Sequence, residues 1–275
     1  MDLVEAIILG IVQGITEWLP ISSTAHLRIV PTLMGKPDPG AAFTAVIQFG
    51  TLLAALIYFR KDLLNALKGW GRSFRGDKSV DAKMGWAVFV GTLPIVIFGL
   101  AFKDQIEGNL RSLTVVAFAL IGMGVLMMVA ERFGSKTRQY KDIAEKDGFL
   151  IGLWQAVALI PGASRSGSTM TGALFAGFDR ATAARFSFLL SMPSIFAAGA
   201  YALYKERHQI LGTNLSPTLV DTVVSFFVGY ASIAFLMKYL QTRSVWPFVA
   251  YRVILGIVLL VLINQGTLTP LAGIH

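Results

Sequence analysis

Residues able to take part in nucleophilic chemistry interrupt the first apolar stretch of this chain. Gln13 and Glu17 are four residues apart, which places both side chains on one face of a helix. Ser23 and His26 follow, three residues apart, and share a face if their segment is helical. A serine hydroxyl beside an imidazole, with a carboxylate nearby, is the general arrangement of an activated nucleophile. The segment therefore predicts a nucleophile and a base.

A second polar cluster, at 161–169, has a different character. Gly162 and Gly167 permit backbone angles that other residues avoid, and Arg165 supplies a fixed positive fork. Backbone amides at a helix N-terminus, together with an arginine, form an anion site, and phosphate suits that geometry best. The cluster also contains four small hydroxyl residues: Ser164, Ser166, Ser168 and Thr169. A nucleophile in one segment and a phosphate cradle in the other predict phosphoryl transfer.

Each of these groups also has a structural explanation. Serine and threonine side chains inside apolar helices often bond back to their own backbone. Glu17 can pair with a buried arginine in a structural network, and His26 can be a satisfied core histidine. Arg185 and Arg252, near the ends of apolar stretches, can snorkel to lipid headgroups or contribute charge to the site. The clustering of so many groups in two matched segments favours a site.

The composition indicates the environment of this site. The chain has 275 residues, of which 55% are hydrophobic and 15% are charged, and its mean hydropathy is +0.64. A soluble domain carries about 25% charged residues, so the composition argues against a soluble enzyme, and the abundant apolar residues exclude disorder. Without cysteine, the chain has no disulfide, thiolate metal ligand or thiol nucleophile. These features predict an integral membrane protein.

The hydropathy pattern divides the chain into membrane spans and two interrupted segments. A spanning helix needs about 20 mostly apolar residues. The apolar segments 3–34 and 148–178 are broken by polar residues, and each half is too short to cross alone. Such a pattern predicts a re-entrant hairpin, tolerated only where protein or a wet cavity surrounds it. Six stretches are suited to span: 42–59, 84–102, 113–131, 182–204, 219–238 and 246–264. We therefore predict an all-α polytopic membrane protein with about six transmembrane helices and two re-entrant helical hairpins.

The distribution of basic residues predicts the orientation. Loops 60–83, 132–146 and 238–243 together hold fourteen Lys and Arg residues, against four in the intervening loops. This bias places both termini outside the cytoplasm, and basic loops beside anionic lipid explain the net charge of +8 better than a nucleic-acid partner does. The first 15 residues contain no Lys or Arg, so we expect the N-terminus to remain in the mature protein. Apolar residues at helical spacing within 60–83 predict an interfacial amphipathic helix.

The two halves of the chain also resemble each other in sequence. A Gly-x-x-Gln motif occurs at 10–13 and again at 152–155, and the two polar breaks align, Ser23 with Ser164, if one residue is lost in between. Each half then contains one hairpin followed by three spans. Because three is odd, the second half enters from the opposite side, and the two broken elements of such inverted repeats meet near the midplane. The prediction is a single membrane domain, 1–275, with repeats at about 1–135 and 148–275.

At these residues the chain resembles the bacitracin-resistance family of undecaprenyl-diphosphate phosphatases. The family's two patterns are Glu-or-Gln, three residues, Glu, and Pro-Gly-x-Ser-Arg-Ser-x-x-Thr. Both are met here, as are the length and the hydropathy profile. Two positions depart from the family. Gln13 stands where some members have Glu, so it cannot be a general base or a charged metal ligand, and Ala25 stands where many members have Gly. The resemblance is carried by 13–17, 19–26 and 161–169.

The resemblance implies an enzyme that hydrolyses undecaprenyl diphosphate to undecaprenyl phosphate and inorganic phosphate, and so recycles the lipid carrier of peptidoglycan synthesis. It implies a multi-pass protein of the bacterial plasma (inner) membrane, in contact with membrane lipid, with its active site on the extracytoplasmic side. The alternative is a flippase for the polyprenyl phosphate, with or without phosphatase activity, because inverted repeats with broken helices are transporter architecture. The oligomeric state is left open, with a homodimer as one option.

By position, the resemblance makes Glu17, Ser23 and His26 catalytic, and makes Ser164, Arg165 and Thr169 the residues that hold the diphosphate. We count Arg165 among the catalytic residues as well, because it stabilises charge on the transferring oxygens. Further contacts to the substrate are expected from Gln13, Ser22, Thr24 and Ser166.

The expected mechanism begins with attack of Ser23 on the terminal phosphorus. His26 takes the serine proton, and Glu17 orients His26 or ligates a divalent cation. We expect that cation to be Mg²⁺ or Ca²⁺, bound largely through substrate and water, because a diphosphate requires charge neutralisation. The rival mechanism makes His26 the nucleophile, through a phosphohistidine, with Ser23 as a binding hydroxyl. The sequence does not separate the two.

Overall fold

The computed structural model describes residues 2–210 and 215–271, and within them the chain is built of α-helices joined by short connections. In chain order the helices are α1 Leu3–Trp18, α2 Ser23–Leu33, α3 Gly40–Tyr58, α4 Arg60–Ser73, α5 Val80–Ala101, α6 Lys103–Glu107, α7 Leu113–Phe133, α8 Glu145–Val157, α9 Arg165–Phe175, α10 Arg180–Lys205, α11 Arg207–Ile210, α12 Leu215–Tyr239 and α13 Trp246–Asn264.

Six helices, α3, α5, α7, α10, α12 and α13, are long and apolar enough to cross a membrane. Each overlaps one of the six stretches expected from hydropathy, so the prediction of an all-α polytopic membrane protein is confirmed. Several of these helices begin where the sequence supplies a cap. Ser79, Ser112 and Asp179 each accept a hydrogen bond from the backbone amide three residues further on.

Two pairs of shorter helices form the predicted broken segments. The first pair, α1 and α2, has 16 and 11 residues, and the second pair, α8 and α9, has 13 and 11. A helix rises about 1.5 Å per residue, so each of the four is shorter than the roughly 30 Å hydrocarbon core. A helix, a break and a second helix are therefore present in both segments.

Glycines let the first helix of each hairpin pack closely on a long helix from the other half of the chain. In α1, a Cβ atom at Gly14 would lie 2.6 Å from Cβ of Val228 in α12. In α8, a Cβ atom at Gly152 would lie 2.4 Å from the carbonyl oxygen of Gly91 in α5. If the two halves are related by two-fold symmetry, packing of α1 on α12 requires the equivalent packing of α8 on α5. Both contacts are present. The repeat boundaries and their inverted orientation remain predictions.

The helix α4 is amphipathic, as its spacing of apolar residues predicts. Trp70 packs against Trp86 and Phe89 of α5. On the outside of the same region, Leu64 and Phe74 are exposed between basic residues. This arrangement suits a helix that lies in the headgroup region of a membrane.

Ion pairs tie the helix ends at the side where the basic loops lie. Arg185 of α10 pairs with Asp62, and its guanidinium lies 4.1 Å from the ring centre of Tyr140. Burial raises the pKa of Tyr140 to about 12. Arg138 and Asp147 form a second pair at 2.6 Å, whose hydrogen bond raises the pKa of Arg138. Arg185 therefore stabilises the contacts between these helix ends and loops, and it does not contribute charge to the candidate site.

Candidate active site

The two hairpin breaks have the same local structure. Ser22 caps α2 and Ser164 caps α9, and both serines have a left-handed backbone, with φ of 77° and 73°. Their hydroxyl oxygens accept hydrogen bonds from the amides of Ala25, at 3.3 Å, and Gly167, at 3.1 Å. A serine with positive φ is uncommon, so the same strained cap at both breaks indicates that each helix start is held by its surroundings.

The matching caps correct the expected register between the two breaks. Ser22, and not Ser23, corresponds to Ser164. Counting from Gln13 to Ser22 and from Gln155 to Ser164 gives the same spacing, so no residue is lost between the motifs. The expected one-residue loss is therefore wrong.

In the corrected register Ser23 and Arg165 occupy equivalent positions, as the first residues of α2 and α9. One break presents a hydroxyl at this place and the other a guanidinium. Both stand at helix N-termini, where unpaired amides favour negative charge. This asymmetry places a hydroxyl at one helix start and a guanidinium at the other.

Glu17 is the hydrogen-bond partner of Ser23. The Ser23 Oγ donates to Glu17 Oε2 at 2.6 Å, and Gln13 Nε2 donates to the same oxygen at 3.0 Å. All three side chains are buried. A hydroxyl this close to a carboxylate is a charge-assisted hydrogen bond, and it directs the serine proton to Glu17.

Arg165 faces Glu17 from the second hairpin. Its Nη1 lies 3.5 Å from Glu17 Oε1, and both of its terminal nitrogens lie 3.5 Å from Gln48 Oε1. These contacts are long for hydrogen bonds, and Nε has no hydrogen-bond partner among the described residues. The guanidinium therefore keeps donors for an anion, and its side chain is 19% exposed.

His26 has other partners than expected. Its Nδ1 lies 2.7 Å from the carbonyl oxygen of Ser22, and its Nε2 lies 2.6 Å from the hydroxyl of Tyr251 in α13. A carbonyl only accepts, so Nδ1 carries the proton and Nε2 of the neutral ring accepts from Tyr251. Within the described part of the chain no hydrogen bond joins His26 to Ser23 or Glu17. The expected transfer of the serine proton to His26 therefore does not match this geometry.

The remaining hydroxyl residues of the predicted site bind protein groups. Thr24 Oγ1 accepts from the amide of Gly162 at 3.3 Å, and Ser166 Oγ lies 3.2 Å from the carbonyl oxygen of Glu17. Thr24 and Ser166 are equivalent in the corrected register, so each hairpin contacts the break of the other. Thr169 donates to the carbonyl of Arg165 at 2.7 Å and is hydrogen-bonded to Ser187. A direct role in substrate binding for these hydroxyls and for the capping serines remains a prediction.

A cavity of about 510 Å³ leads to Arg165 between α3, α5 and α10. Most of its wall is apolar, from residues such as Ala45, Ile95 and Leu100. Lys103 and Lys205 line it at the ends of α5 and α10 that the loop charges predict to be extracytoplasmic. Glu206 also lines this end, with its carboxylate 4.0 Å from Lys205 Nζ. The apolar wall and the excess of basic groups, Arg165 included, suit an anionic amphiphile.

Comparisons with known proteins show the family of this chain. Residues 6–258 match the family model described as "Bacitracin resistance protein BacA". The chain belongs to this family. Three relatives with the name undecaprenyl-diphosphatase cover nearly the whole chain. The protein of Chlorobaculum tepidum is 52% identical over 98% of this chain and 100% of its own length. Those of Thermobifida fusca (50% identical, 99% and 94%) and Chlorobium limicola (52% identical, 98% and 99%) are similar. The resemblance noted in the sequence is confirmed.

Three residues near the site come from distant parts of the chain. Gln48 and Tyr251 were not predicted to lie there, and Arg252 was predicted only to snorkel or to contribute charge. Gln48 of α3 contacts Arg165, Tyr251 contacts His26, and Arg252 contacts the backbone of both breaks. Arg252 is fully buried, so it does not snorkel. A polar residue inside an apolar span is the one signal that marks Gln48 and Arg252 beforehand.

Proposed function

We propose that this protein hydrolyses undecaprenyl diphosphate to undecaprenyl phosphate and inorganic phosphate, and so returns the lipid carrier to cell-wall synthesis. The observation that carries the proposal is the hydrogen bond from Ser23 to Glu17, with Arg165 beside it at the end of a mostly apolar cavity. The names of the relatives support hydrolysis over transport alone.

In the first step Ser23 attacks the terminal phosphorus of the diphosphate. The serine proton passes to Glu17 as the bond from Ser23 oxygen to phosphorus forms. The bond between that phosphorus and the bridging oxygen breaks, and undecaprenyl phosphate leaves with the electron pair. The enzyme then carries a phosphoserine and a protonated Glu17.

In the second step water attacks the phosphoserine. The bond to the serine oxygen breaks, Glu17 returns its proton to that oxygen, and the phosphate leaves with both protons of the water. Ser23 and Glu17 are then as they began. The overall reaction consumes one water and requires no external oxidant or nucleotide.

Arg165 and the helix starts supply the electrostatic part of catalysis. In phosphoryl transfer the protein mainly positions the reacting groups and stabilises charge on the transferring oxygens. The guanidinium donors and the N-terminal amides of α2 and α9 offer fixed positive ends for those oxygens. Because they are in place before the substrate arrives, little reorganisation is needed.

The donor set also suits a divalent cation held largely by the substrate. Among the described residues no group of three His, Asp or Glu side chains is suited to hold a metal ion. Glu17 offers a carboxylate, and Gln13 Oε1 is a buried amide oxygen without a hydrogen-bond partner in the described chain. Mg²⁺ and Ca²⁺ prefer such oxygens. Bound beside Glu17 and Gln13, the cation would neutralise diphosphate charge.

We place the site on the extracytoplasmic side of the bacterial inner membrane. In this orientation the lipid diphosphate enters the cavity from the outer leaflet, past Lys103 and Lys205, and its isoprenoid chain lies against the apolar wall. The orientation rests on the basic loops at the opposite ends of the helices.

The deciding experiment measures phosphate release by purified protein in detergent. Undecaprenyl diphosphate should yield stoichiometric inorganic phosphate, and Ser23→Ala should abolish its release without lowering the melting temperature. A flippase without hydrolytic activity would release none. Release by Ser23→Ala at the wild-type rate would refute the proposed nucleophile.

A further inference from the structure

A buried arginine holds both hairpin breaks together. Arg252 lies in α13, and its Nη1 donates to the carbonyl oxygen of Pro20 at 3.1 Å. Its Nη2 donates to the carbonyl oxygens of Gly162, at 3.1 Å, and Ala163, at 2.8 Å. One guanidinium thus bonds to the backbone of the first break with one nitrogen and to that of the second with the other.

Arg252 contacts equivalent positions in the two breaks. Pro20 precedes the cap of α2 by the same number of residues as Gly162 precedes the cap of α9. The planar fork of Arg252 therefore bridges equivalent carbonyls, which fixes both their separation and their direction. A lysine, which has a single nitrogen at its end, cannot bridge them in this way.

Gly167 leaves room for this bridge. A Cβ atom at Gly167, in the first turn of α9, would lie 2.4 Å from Arg252 Nη1. Any side chain at 167 must therefore displace the guanidinium or move the helix. The equivalent residue in α2 is Ala25, so the space is needed on one hairpin only.

The charge of Arg252 is not neutralised nearby. The side chain is fully buried, and no described Asp or Glu lies within salt-bridge distance of it. Its hydrogen-bond acceptors are three neutral carbonyl groups. A buried cation with no counter-charge is costly, and it adds positive potential where α2 and α9 begin.

We propose that Arg252 is a positioning residue for phosphoryl transfer. It clamps the two breaks so that Ser23 and Arg165, the first residues of their helices, face one another across the diphosphate. Its charge reinforces the attraction of both helix N-termini for phosphate. This inference rests on the proposed function, because it assigns Arg252 a role in that same reaction.

Two variants test the clamp by different routes. Arg252→Lys keeps the charge and removes the bridge. Gly167→Ala keeps Arg252 in the chain and displaces it, so it remains informative if Arg252→Lys does not fold. The control Gly122→Ala adds the same methyl group to α7, where nothing lies within 4 Å of the new atom.

The first readout is kcat for phosphate release, compared with the melting temperature. We expect kcat to fall about 100-fold in both variants, because a displacement near 1 Å can cost this much, at a temperature where both variants remain folded. Gly122→Ala should match the wild type. A kcat within twofold of the wild type in both Arg252→Lys and Gly167→Ala overturns the proposal.

The second readout follows the hairpins without using activity. The natural chain has no cysteine, so Leu33→Cys and Phe175→Cys, both at exposed sites near the ends of α2 and α9, accept spin labels. Electron–electron distance measurements should give a narrow distribution in this parent and a broad one once either test variant is added. Unchanged widths would overturn the clamp. Absence of phosphate release by the wild type would refute the proposed function, and the distance measurement would still test the clamp.

Discussion

Ser23 Oγ donates a hydrogen bond of 2.6 Å to Glu17 Oε2, across the break between α1 and α2. Glu17 is the last but one residue of α1 and Ser23 is the first residue of α2. The break therefore brings together a carboxylate and a hydroxyl that no continuous helix would pair, since side chains six residues apart on a helix point about 120° away from each other. The break between the two helices is what allows this contact.

Glu17→Gln should abolish phosphate release while the protein stays folded. The amide is similar in shape to the carboxylate but cannot take the proton of Ser23, and general-base catalysis is worth about 10²- to 10⁴-fold in rate. We expect kcat to fall by at least about 100-fold. Glu5→Gln changes another buried glutamate of α1 and serves as the control. A Glu17→Gln variant that retained more than a tenth of the wild-type kcat would exclude Glu17 as the base.

The chemical stability of the trapped intermediate separates the two nucleophiles. With Ser23 as the nucleophile, quenched-flow samples should contain a phosphoryl adduct that survives acid, since phosphoserine is an acid-stable ester. A phosphohistidine at His26 would be lost in acid and survive in base. The adduct should disappear in Ser23→Ala and persist in His26→Gln. An acid-labile adduct would transfer the role of nucleophile to His26.

Tyr251→Phe should change the state of His26 more than the rate of reaction. Removing the hydroxyl leaves Nε2 without its donor while Nδ1 keeps its bond to the Ser22 carbonyl. A neutral hydrogen bond contributes about 1 kcal/mol, so we expect kcat to change less than about tenfold. Nitrogen NMR of labelled histidine should show Nε2 shifting toward the value of a ring nitrogen that accepts no hydrogen bond. Tyr204→Phe, at an exposed tyrosine, is the control. An unchanged Nε2 signal would show that the contact is absent in solution.

Hydropathy and turn chemistry were enough to predict the six spans, the two broken segments and the proximity of Glu17, Ser23 and Arg165. The reason is local: apolar length, prolines, glycines and small hydroxyls act within a few residues of where they stand. The register between the breaks was wrong by one because it depends on which serine adopts a positive φ, and Ser22 and Ser23 are alike in sequence. Gln48, Tyr251 and Arg252 reach the site through packing of distant helices. A polar residue inside an apolar span marks Gln48 and Arg252 as unusual, but no local pattern specifies which groups they contact.

The close contact between α5 and α8 predicts a stability effect at a glycine far from the chemistry. Gly152→Ala would place a methyl group 2.4 Å from the carbonyl oxygen of Gly91, so the two helices must separate. Overpacking of this kind costs about 1–3 kcal/mol, and the melting temperature in detergent should fall by several degrees. Gly71→Ala, in the amphipathic helix α4, meets nothing within 4 Å and should leave it unchanged. Equal melting temperatures for the two variants would contradict the packing of α8 on α5.

Removal of divalent cations tests how the diphosphate charge is balanced. Glu17 receives hydrogen bonds from Ser23 and Gln13 on one carboxylate oxygen, so the other oxygen, 3.5 Å from Arg165, is the one open to a cation. EDTA should therefore stop phosphate release, and Mg²⁺ or Ca²⁺ should restore it, because the protein offers too few oxygens to retain a metal ion without the substrate. Apparent cation affinity should rise with substrate concentration, since the two bind together. The matched variant Gln13→Glu adds a second carboxylate beside Glu17 and should lower the cation concentration needed for half-maximal rate. Activity that is indifferent to EDTA would leave charge stabilisation to Arg165 and the helix N-termini alone.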